Sequence, residues 1–308
     1  MTTVYTFLGP EGTFTEAALL QVPGAADARR IPASNVEAAL DAVRSGEAGA
    51  AMVPIENSVE GGVSATLDAI AGGAPLQIIG EQLVPIRFVL AVRPGTERQS
   101  ISVVSTHPHA WAQCRAWCSE NIPQTAYLPA SSTAAAGVGL LEPGAGHQAA
   151  ICSPLVAQQR GLQVLADDIG DIPDAVTRFI LVSRPGALPA PTGADKTTLV
   201  VPLPQDHPGA LVAILEQLSS RGVNLSRIES RPTGQFLGDY FFSLDAEGHL
   251  AEERVADAVR GLHRLSPGLR FLGSYPRADR RGHTVPRSNQ DDAFLKADGW
   301  VRDLLLSR

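Results

Sequence analysis

Side chains that donate hydrogen bonds recur at the ends of apolar, strand-like runs, which is where α/β folds meet their ligands. Pro54-Ile55-Glu56-Asn57-Ser58-Val59-Glu60-Gly61-Gly62 gathers Glu56, Asn57 and Ser58 at the end of one such run, with glycines that let a small molecule approach. That set suits recognition of hydroxyl and carboxylate groups, and the same residues also read as a cap on the helix that follows. Asp174-Ala175-Val176-Thr177-Arg178-Phe179 offers, in three consecutive residues, a hydroxyl donor, a permanently charged fork for a carboxylate and an apolar wall. Ser105-Thr106-His107-Pro108-His109 leads into a helix carrying Gln113, so Thr106, His107 and Gln113 form a donor cluster for one pocket. Ser131-Ser132-Thr133 is a further hydroxyl cluster ahead of an alanine-rich helix, where it equally serves as an N-cap. Gly9-Pro10-Glu11-Gly12-Thr13-Phe14 turns a strand into a helix and aims backbone N–H groups at any anion bound there.

Several chemistries lack support. There is no His–Ser–Asp order, P-loop or CxxC pair, so nucleophilic, nucleotide and redox chemistry are disfavoured. His107 and His109, at i and i+2, do not share a helical face and have no carboxylate nearby in sequence, so no metal site is expected. Cys114, Cys118 and Cys152 are an odd, sparse set rather than a disulfide framework, and read as small buried thiols. With 25 Lys and Arg against 32 Asp and Glu, the net charge of −7 argues against a nucleic-acid partner. No apolar run reaches the roughly 18–20 residues of a membrane span, and Met1-Thr2-Thr3 leads straight into a strand-like run with no signal peptide. The expectation is therefore a cytoplasmic chain with no membrane contact.

The elements that must position these groups fall into two regimes. A chain of 308 residues, 44% of them hydrophobic, suggests two or three domains. From Val4 to about Val182, strand-like runs alternate with helical patterns, which predicts an α/β domain with largely parallel sheets. Thr13 with Glu16, and Ser34 with Glu37, read as capping boxes, and Gly46 as the stop of the second helix. Leu76–Leu83 and Arg87–Val92 interrupt the alternation as paired strand-like segments and mark a crossover between two lobes. Three prolines and two glycines between Arg184 and Asp195 predict a linker. Beyond it, Thr197–Leu203, Gly209–Arg221, Leu225–Arg231, Asp239–Asp245, a helix around Glu252–Arg264 and Leu269–Tyr275 follow the βαββαβ order, with a turn across Thr233-Gly234. The last stretch begins basic and ends with Phe294, Leu295, Val301, Leu304 and Leu305; it reads either as a frayed tail or as a helix docked on its own domain or a neighbouring subunit.

Taken in order, Leu8 to Phe14, Pro54 to Ser58, Thr106-His107-Pro108 with Gln113-Cys114, Ser132-Thr133 and Thr177-Arg178-Phe179 resemble the motif series of prephenate dehydratase. Gly209-Ala210-Leu211-Val212 and Glu229-Ser230-Arg231-Pro232 resemble the phenylalanine-binding motifs of the regulatory ACT domain that follows it. The resemblance runs from Val4 to Tyr275. It departs at Ala175, where the family usually carries Asn, and at Thr106, where it often carries Ser. What it implies is an α/β, two-lobed, periplasmic-binding-protein-like catalytic domain over 1–184 and a linker over 185–195. A ferredoxin-like ACT domain over 196–275 and a tail over 276–308 complete the expectation.

The implied reaction turns prephenate into phenylpyruvate with loss of carbon dioxide and water, in phenylalanine biosynthesis. The ring becomes aromatic as both groups leave, so neither metal nor cofactor is expected. By the resemblance, Thr177, Asn57, Glu56, Thr106 and Gln113 are catalytic. Thr13, Ser58, His107, Ser132, Thr133, Arg178 and Phe179 bind substrate, with Arg178, Ser132 and Thr133 as candidate anchors of the pyruvyl carboxylate. Gly209, Ala210, Leu211, Val212, Asn224, Leu225, Glu229, Ser230 and Arg231 are the expected phenylalanine site, in a homodimer or homotetramer joined through ACT and catalytic domains. Rival readings are a solute-binding protein, the same chemistry on arogenate, which has an amino group in place of the keto group, and a purely structural or nucleic-acid-binding chain.

Overall fold

Local chemistry sets the element boundaries in the computed structural model, which describes residues 3–203, 207–233 and 239–306. After β1 (Val4–Leu8), Thr13 starts α1 (Phe14–Leu19) by accepting the Glu16 N–H at 3.4 Å. The Glu16 carboxylate takes the Gly12 N–H at 2.6 Å instead of returning to the cap residue, so only half of the expected box forms. β2 (Arg29–Ala33) and α2 (Val36–Ser45) follow. The α2 cap is Asn35, whose Oδ1 accepts the Ala38 N–H at 2.8 Å, and not Ser34 one residue earlier; Gly46, at φ 88°, ends the helix as expected. β3 (Ala50–Asn57) and β4 (Gly61–Gly62) pair antiparallel around a tight turn, followed by α3 (Ser64–Ala71) and β5 (Gln77–Pro85).

The next stretch holds β6 (Val89–Val92), β7 (Val103–Thr106), α4 (Pro108–Gln113), α5 (Arg115–Asn121), β8 (Ala126–Pro129), α6 (Thr133–Gly139), β9 (Ala149–Cys152), α7 (Pro154–Gln159), β10 (Gln163–Ala166) and β11 (Val176–Ser183). Two sheets result, ordered β2-β1-β3-β11-β5 and β10-β6-β9-β7-β8. β1 runs parallel to β2 and β3, and β7 parallel to β8 and β9, whereas β6 is antiparallel to β9 and β10. The segments expected to pair, β5 and β6, do not pair with each other. β5 joins the first sheet and β6 the second, so this stretch is the crossover itself. Beneath the second sheet, Leu90, Val104 and Ile151 pack with Cys114 and Cys118. All three cysteines are free and buried, and burial pushes the Cys118 and Cys152 thiols up to about 12.

The chain divides into two compact units, Met1–Val63 with Gln82–Phe179, and Ser64–Glu81 with Ile180–Arg308. This differs from a cut at the linker, although the chain between Ser183 and Asp195 does carry neither helix nor strand. The reason is that residues 64–81 are tied to the second unit. Arg231 holds Asp68 with two hydrogen bonds of 2.9 and 2.7 Å, Arg270 donates to the Gly73 carbonyl, and buried Lys196 pairs with Glu81 at 3.1 Å. Gly273 has no room for a side chain, since a Cβ there would stand 2.2 Å from the Ile78 carbonyl oxygen.

In the second unit, β12 (Asp195–Pro202), α8 (Ala210–Ser219), β13 (Leu225–Pro232), β14 (Tyr240–Glu247), α9 (Glu253–Leu265) and β15 (Arg270–Pro276) follow the expected βαββαβ order. The strands form one antiparallel sheet ordered β13-β14-β12-β15. Leu199, Val201 and Leu244 of the sheet meet Ile214, Leu218, Val255 and Leu262 of the two helices. Of the expected turn across Thr233-Gly234, Gly234 lies outside the described residues. The tail forms α10 (Asp291–Leu306), fixed at its start where Asp291 accepts the Glu253 N–H at 2.9 Å; none of its residues is buried. Among the described residues no helix is long and apolar enough to cross a membrane.

Candidate active site

A cavity of about 370 Å³ opens within the first unit, between the strand ends of its two sheets. Eight of the expected site residues line it: Thr13, Asn57, His107, Gln113, Ser132, Thr133, Thr177 and Phe179. Leu8, Phe14, Ile86 and Phe88 add an apolar wall, in which the Phe14 and Phe88 rings meet edge to face at 5.7 Å.

The centre of the wall is a contact between neighbouring strands. Asn57, at the end of β3, donates from Nδ2 to Thr177 Oγ1 on β11 at 2.9 Å. Asn57 Oδ1 meanwhile accepts the Val59 N–H at 2.7 Å and the Glu60 N–H at 3.4 Å. Because backbone amides can only donate, this assigns the side-chain oxygen to the turn and the NH₂ to Thr177. Thr177 Oγ1 therefore accepts from Asn57, which leaves the hydroxyl its own proton to donate.

Strand alternation sorts the remaining motif residues. Side chains along a strand point alternately to opposite faces, so Thr177 and Phe179 reach the cavity while Arg178 between them does not. Arg178 is buried, with its guanidinium 3.2 Å from Glu56, the neighbour of Asn57 on the same side of β3 as Arg178 on β11. Glu56 and Arg178, expected as a catalytic group and a carboxylate anchor, thus sit off the cavity wall. Thr106 is fully buried and donates from Oγ1 to the Ile151 carbonyl at 2.6 Å, which turns it into the second sheet. Ser58 clips the turn to β11: its Oγ accepts the Val176 N–H at 3.0 Å and its own N–H donates to the Val176 carbonyl at 2.9 Å. Ala175, where the family has Asn, is buried and off the cavity wall.

The residues on the wall differ in what they still offer. Thr13 Oγ1 donates to the Leu8 carbonyl at 3.2 Å and accepts the Glu16 N–H, so it builds the turn. Ser132 Oγ accepts the Ala135 N–H at 2.9 Å as the cap of α6, which leaves its proton to donate. His107 Nδ1 accepts the His109 N–H at 3.3 Å, so the neutral ring carries its proton on Nε2. Burial first, and then His109, hold the His107 pKa below its ordinary value against an opposing pull from Glu60. Two ionisable wall residues were not among the expected site residues: Glu60, and His109, whose Nδ1 stands 2.6 Å from Glu60 Oε2. Both belong to motifs read from the sequence, but nothing in spacing signals that the turn after β3 and the start of α4 meet. Among the described residues no group of three or more His, Cys, Asp and Glu is arranged to hold a metal ion.

In the second unit, a separate cavity of about 310 Å³ is lined by Gly209, Ala210, Leu211, Val212 and Ser230, together with Leu203, His207, Tyr240 and Phe242. Gly209 caps α8 at φ 89°, a backbone conformation that favours glycine. Asn224, Leu225, Glu229 and Arg231, expected at the phenylalanine site, are not on this wall. Alternation along β13 turns Ser230 toward the cavity and Arg231 away from it, onto Asp68, while Asn224 donates to Glu247 at 3.1 Å.

The class so defined is a mixed α/β protein whose cleft is lined by hydroxyl, amide and imidazole groups. Comparison with known proteins supplies the family. The prephenate dehydratase family model matches residues 5–187. A prephenate dehydratase from Amycolatopsis methanolica is 44% identical over 297 residues, covering 96% of this chain and 95% of that protein. The crystal structure of prephenate dehydratase from Arthrobacter aurescens in complex with L-Phe matches with a TM-score of 0.94 at 68% identity, covering 98% of this chain and 99% of that one. The structure of GqqA, a novel type of quorum-quenching acylase, matches with a TM-score of 0.80 at 31% identity, covering 90% of this chain and 100% of that one. The chain belongs to the prephenate dehydratase family.

Proposed function

We propose that the chain catalyses decarboxylative dehydration of prephenate to phenylpyruvate, the committed chemistry of phenylalanine biosynthesis, as a carbon–oxygen lyase of the cytoplasm. The observation that carries this reading is the 2.9 Å hydrogen bond from Asn57 to Thr177 at the cavity wall. The prephenate dianion takes up one proton and yields the phenylpyruvate anion, carbon dioxide and water. The ring's gain of aromaticity drives the step, and the protein's part is to help the hydroxyl leave. A threonine hydroxyl is a weak acid, so Thr177 acts by hydrogen-bond donation. The Asn57 amide both aims that donor and polarises it. Such assistance contributes typically ~10²–10⁴-fold.

The apolar wall of Phe14, Phe88 and Phe179 holds the ring and disfavours a localised carboxylate, which supports loss of carbon dioxide through a charge-dispersed transition state. With Arg178 off the wall, the pyruvyl carboxylate is held by neutral donors: Ser132, Thr133, Gln113 and the Nε2–H of His107. The acylase relative raises amide hydrolysis as another reaction. An amide on Thr177 cannot remove its proton, so the pairing favours donation over nucleophilic attack.

Residues 196–275 of the second unit are read as a ferredoxin-like ACT domain that follows, in sequence, a catalytic domain over 1–184 whose two sheets are the two lobes. L-Phenylalanine binds beside Gly209–Val212 and Ser230 and gives feedback by favouring one state of a homodimer or homotetramer. The test is incubation with prephenate, with and without phenylalanine, and identification of the product. Phenylpyruvate formation that phenylalanine suppresses is expected; absence of phenylpyruvate overturns the reading.

A further inference from the structure

The cavity of the first unit has a peculiar charge inventory. Of the described residues on its wall, the ionisable ones are Glu60, His107 and His109. Among the described residues no lysine or arginine lines it, because Arg178 faces the other way onto Glu56. A site for a dianion therefore carries a carboxylate of its own and no permanent cation. That carboxylate is held. His109, on the first turn of α4 in one lobe, places Nδ1 at 2.6 Å from Glu60 Oε2 in the β3–β4 turn of the other. Glu60 is also built into the catalytic arrangement, since its N–H donates to the Asn57 oxygen at 3.4 Å.

We propose that the His109–Glu60 pair determines substrate specificity, admitting the keto acid prephenate and disfavouring its amino analogue arogenate by engaging the carboxylate at the cavity wall in a hydrogen bond. This rests on the dehydratase reading. Prephenate carries two negative charges; arogenate carries the same two carboxylates plus an ammonium, and so a net charge of −1. A bare Glu60 would repel the first and pair with the ammonium of the second. With Glu60 engaged by His109, the wall offers no free anion and the discrimination runs toward the dianion. The two residues act as a unit because each alone reverses the other's effect: Glu60 without His109 is an exposed anion, and His109 without Glu60 is a donor free to meet a carboxylate.

Full-length His109→Gln, Glu60→Gln and the double variant, each assayed for kcat/KM on prephenate and on arogenate, test this directly. For His109→Gln the prephenate-to-arogenate ratio should fall by about tenfold or more, the scale of one uncompensated charge in a partly solvated site. For Glu60→Gln it should rise. In the double variant, adding Glu60→Gln to His109→Gln should restore most of the lost prephenate activity, because the harm lies in the freed carboxylate. A merely structural clip predicts otherwise: both single variants would lose activity on the two substrates in parallel, and the double variant would show no rescue. That pattern in an active wild type overturns the specificity assignment alone. A wild-type chain inert toward both substrates overturns the dehydratase reading, and this assignment with it.

Discussion

Asn57 donates to the hydroxyl of Thr177 across adjacent strands, 120 residues apart in sequence, at 2.9 Å. The direction of this bond matters more than its length. With the Asn57 oxygen committed to the backbone of its own turn, Thr177 is the acceptor and keeps its own proton to donate. Replacing Asn57 by Ala should therefore lower kcat by about 10²–10³-fold, the usual consequence of losing one preorganised donor at a reacting oxygen. Steady-state kinetics on prephenate, with KM read separately, check it; a loss confined to KM would place Asn57 in binding only.

Arg178 lies off the cavity wall. It is buried and paired with Glu56 at 3.2 Å. Arg178→Gln should cost about 1–3 kcal/mol of stability, because a partly exposed Glu56 loses its partner while water screens part of the penalty. Denaturant unfolding measures this. A large rise in KM with unchanged stability would instead return Arg178 to the carboxylate.

His107 gives a pH signature. Its pKa is lowered in the fold by burial and by His109, so the unfolded chain binds its proton more readily than the native one. Stability from this group is present at and above neutral pH and is lost as pH falls from the unfolded value near 6.5 through the lowered native one. Comparing thermal unfolding at neutral and mildly acidic pH, His107→Gln should shrink the difference seen in the wild type. An unchanged difference would show that His107 is not held neutral.

The second cavity yields a test of regulation. Gly209→Ala forces a side chain into φ 89° and should raise the phenylalanine concentration needed for binding, with a strain of about 1–2 kcal/mol. Calorimetric titration of the full chain with phenylalanine reads it.

How much of this was legible in the sequence depends on the kind of signal. Thr13, Asn57, His107, Ser132, Thr133 and Thr177 stand at strand ends or helix starts, which strand-to-helix punctuation marks; Gln113 closes the helix that His107 caps, and Phe179 follows Thr177 two positions along its strand. Runs of adjacent motif residues misled, because adjacency in a strand means opposite faces. Glu56 beside Asn57, and Arg178 beside Thr177, are carried to the far side by the same alternation that brings their neighbours in. Thr106 is likewise lost to the Ile151 carbonyl. The strand Arg29–Ala33 escaped notice because it is a largely exposed edge with two arginines and a proline, which hides the period of two. The alliance of α3 with the second unit depends on Arg231 and Asp68, 163 residues apart, and no local pattern announces it. The meeting of Glu60 and His109 is long-range in the same way.

The most direct measurement compares Thr177→Ser and Thr177→Ala in single-turnover conversion of prephenate. Serine keeps the hydroxyl, and its variant should stay within about tenfold of the wild type; alanine removes it, and the rate should fall by about 10²–10⁴-fold with an unchanged fold. Near-normal conversion by Thr177→Ala would contradict the account.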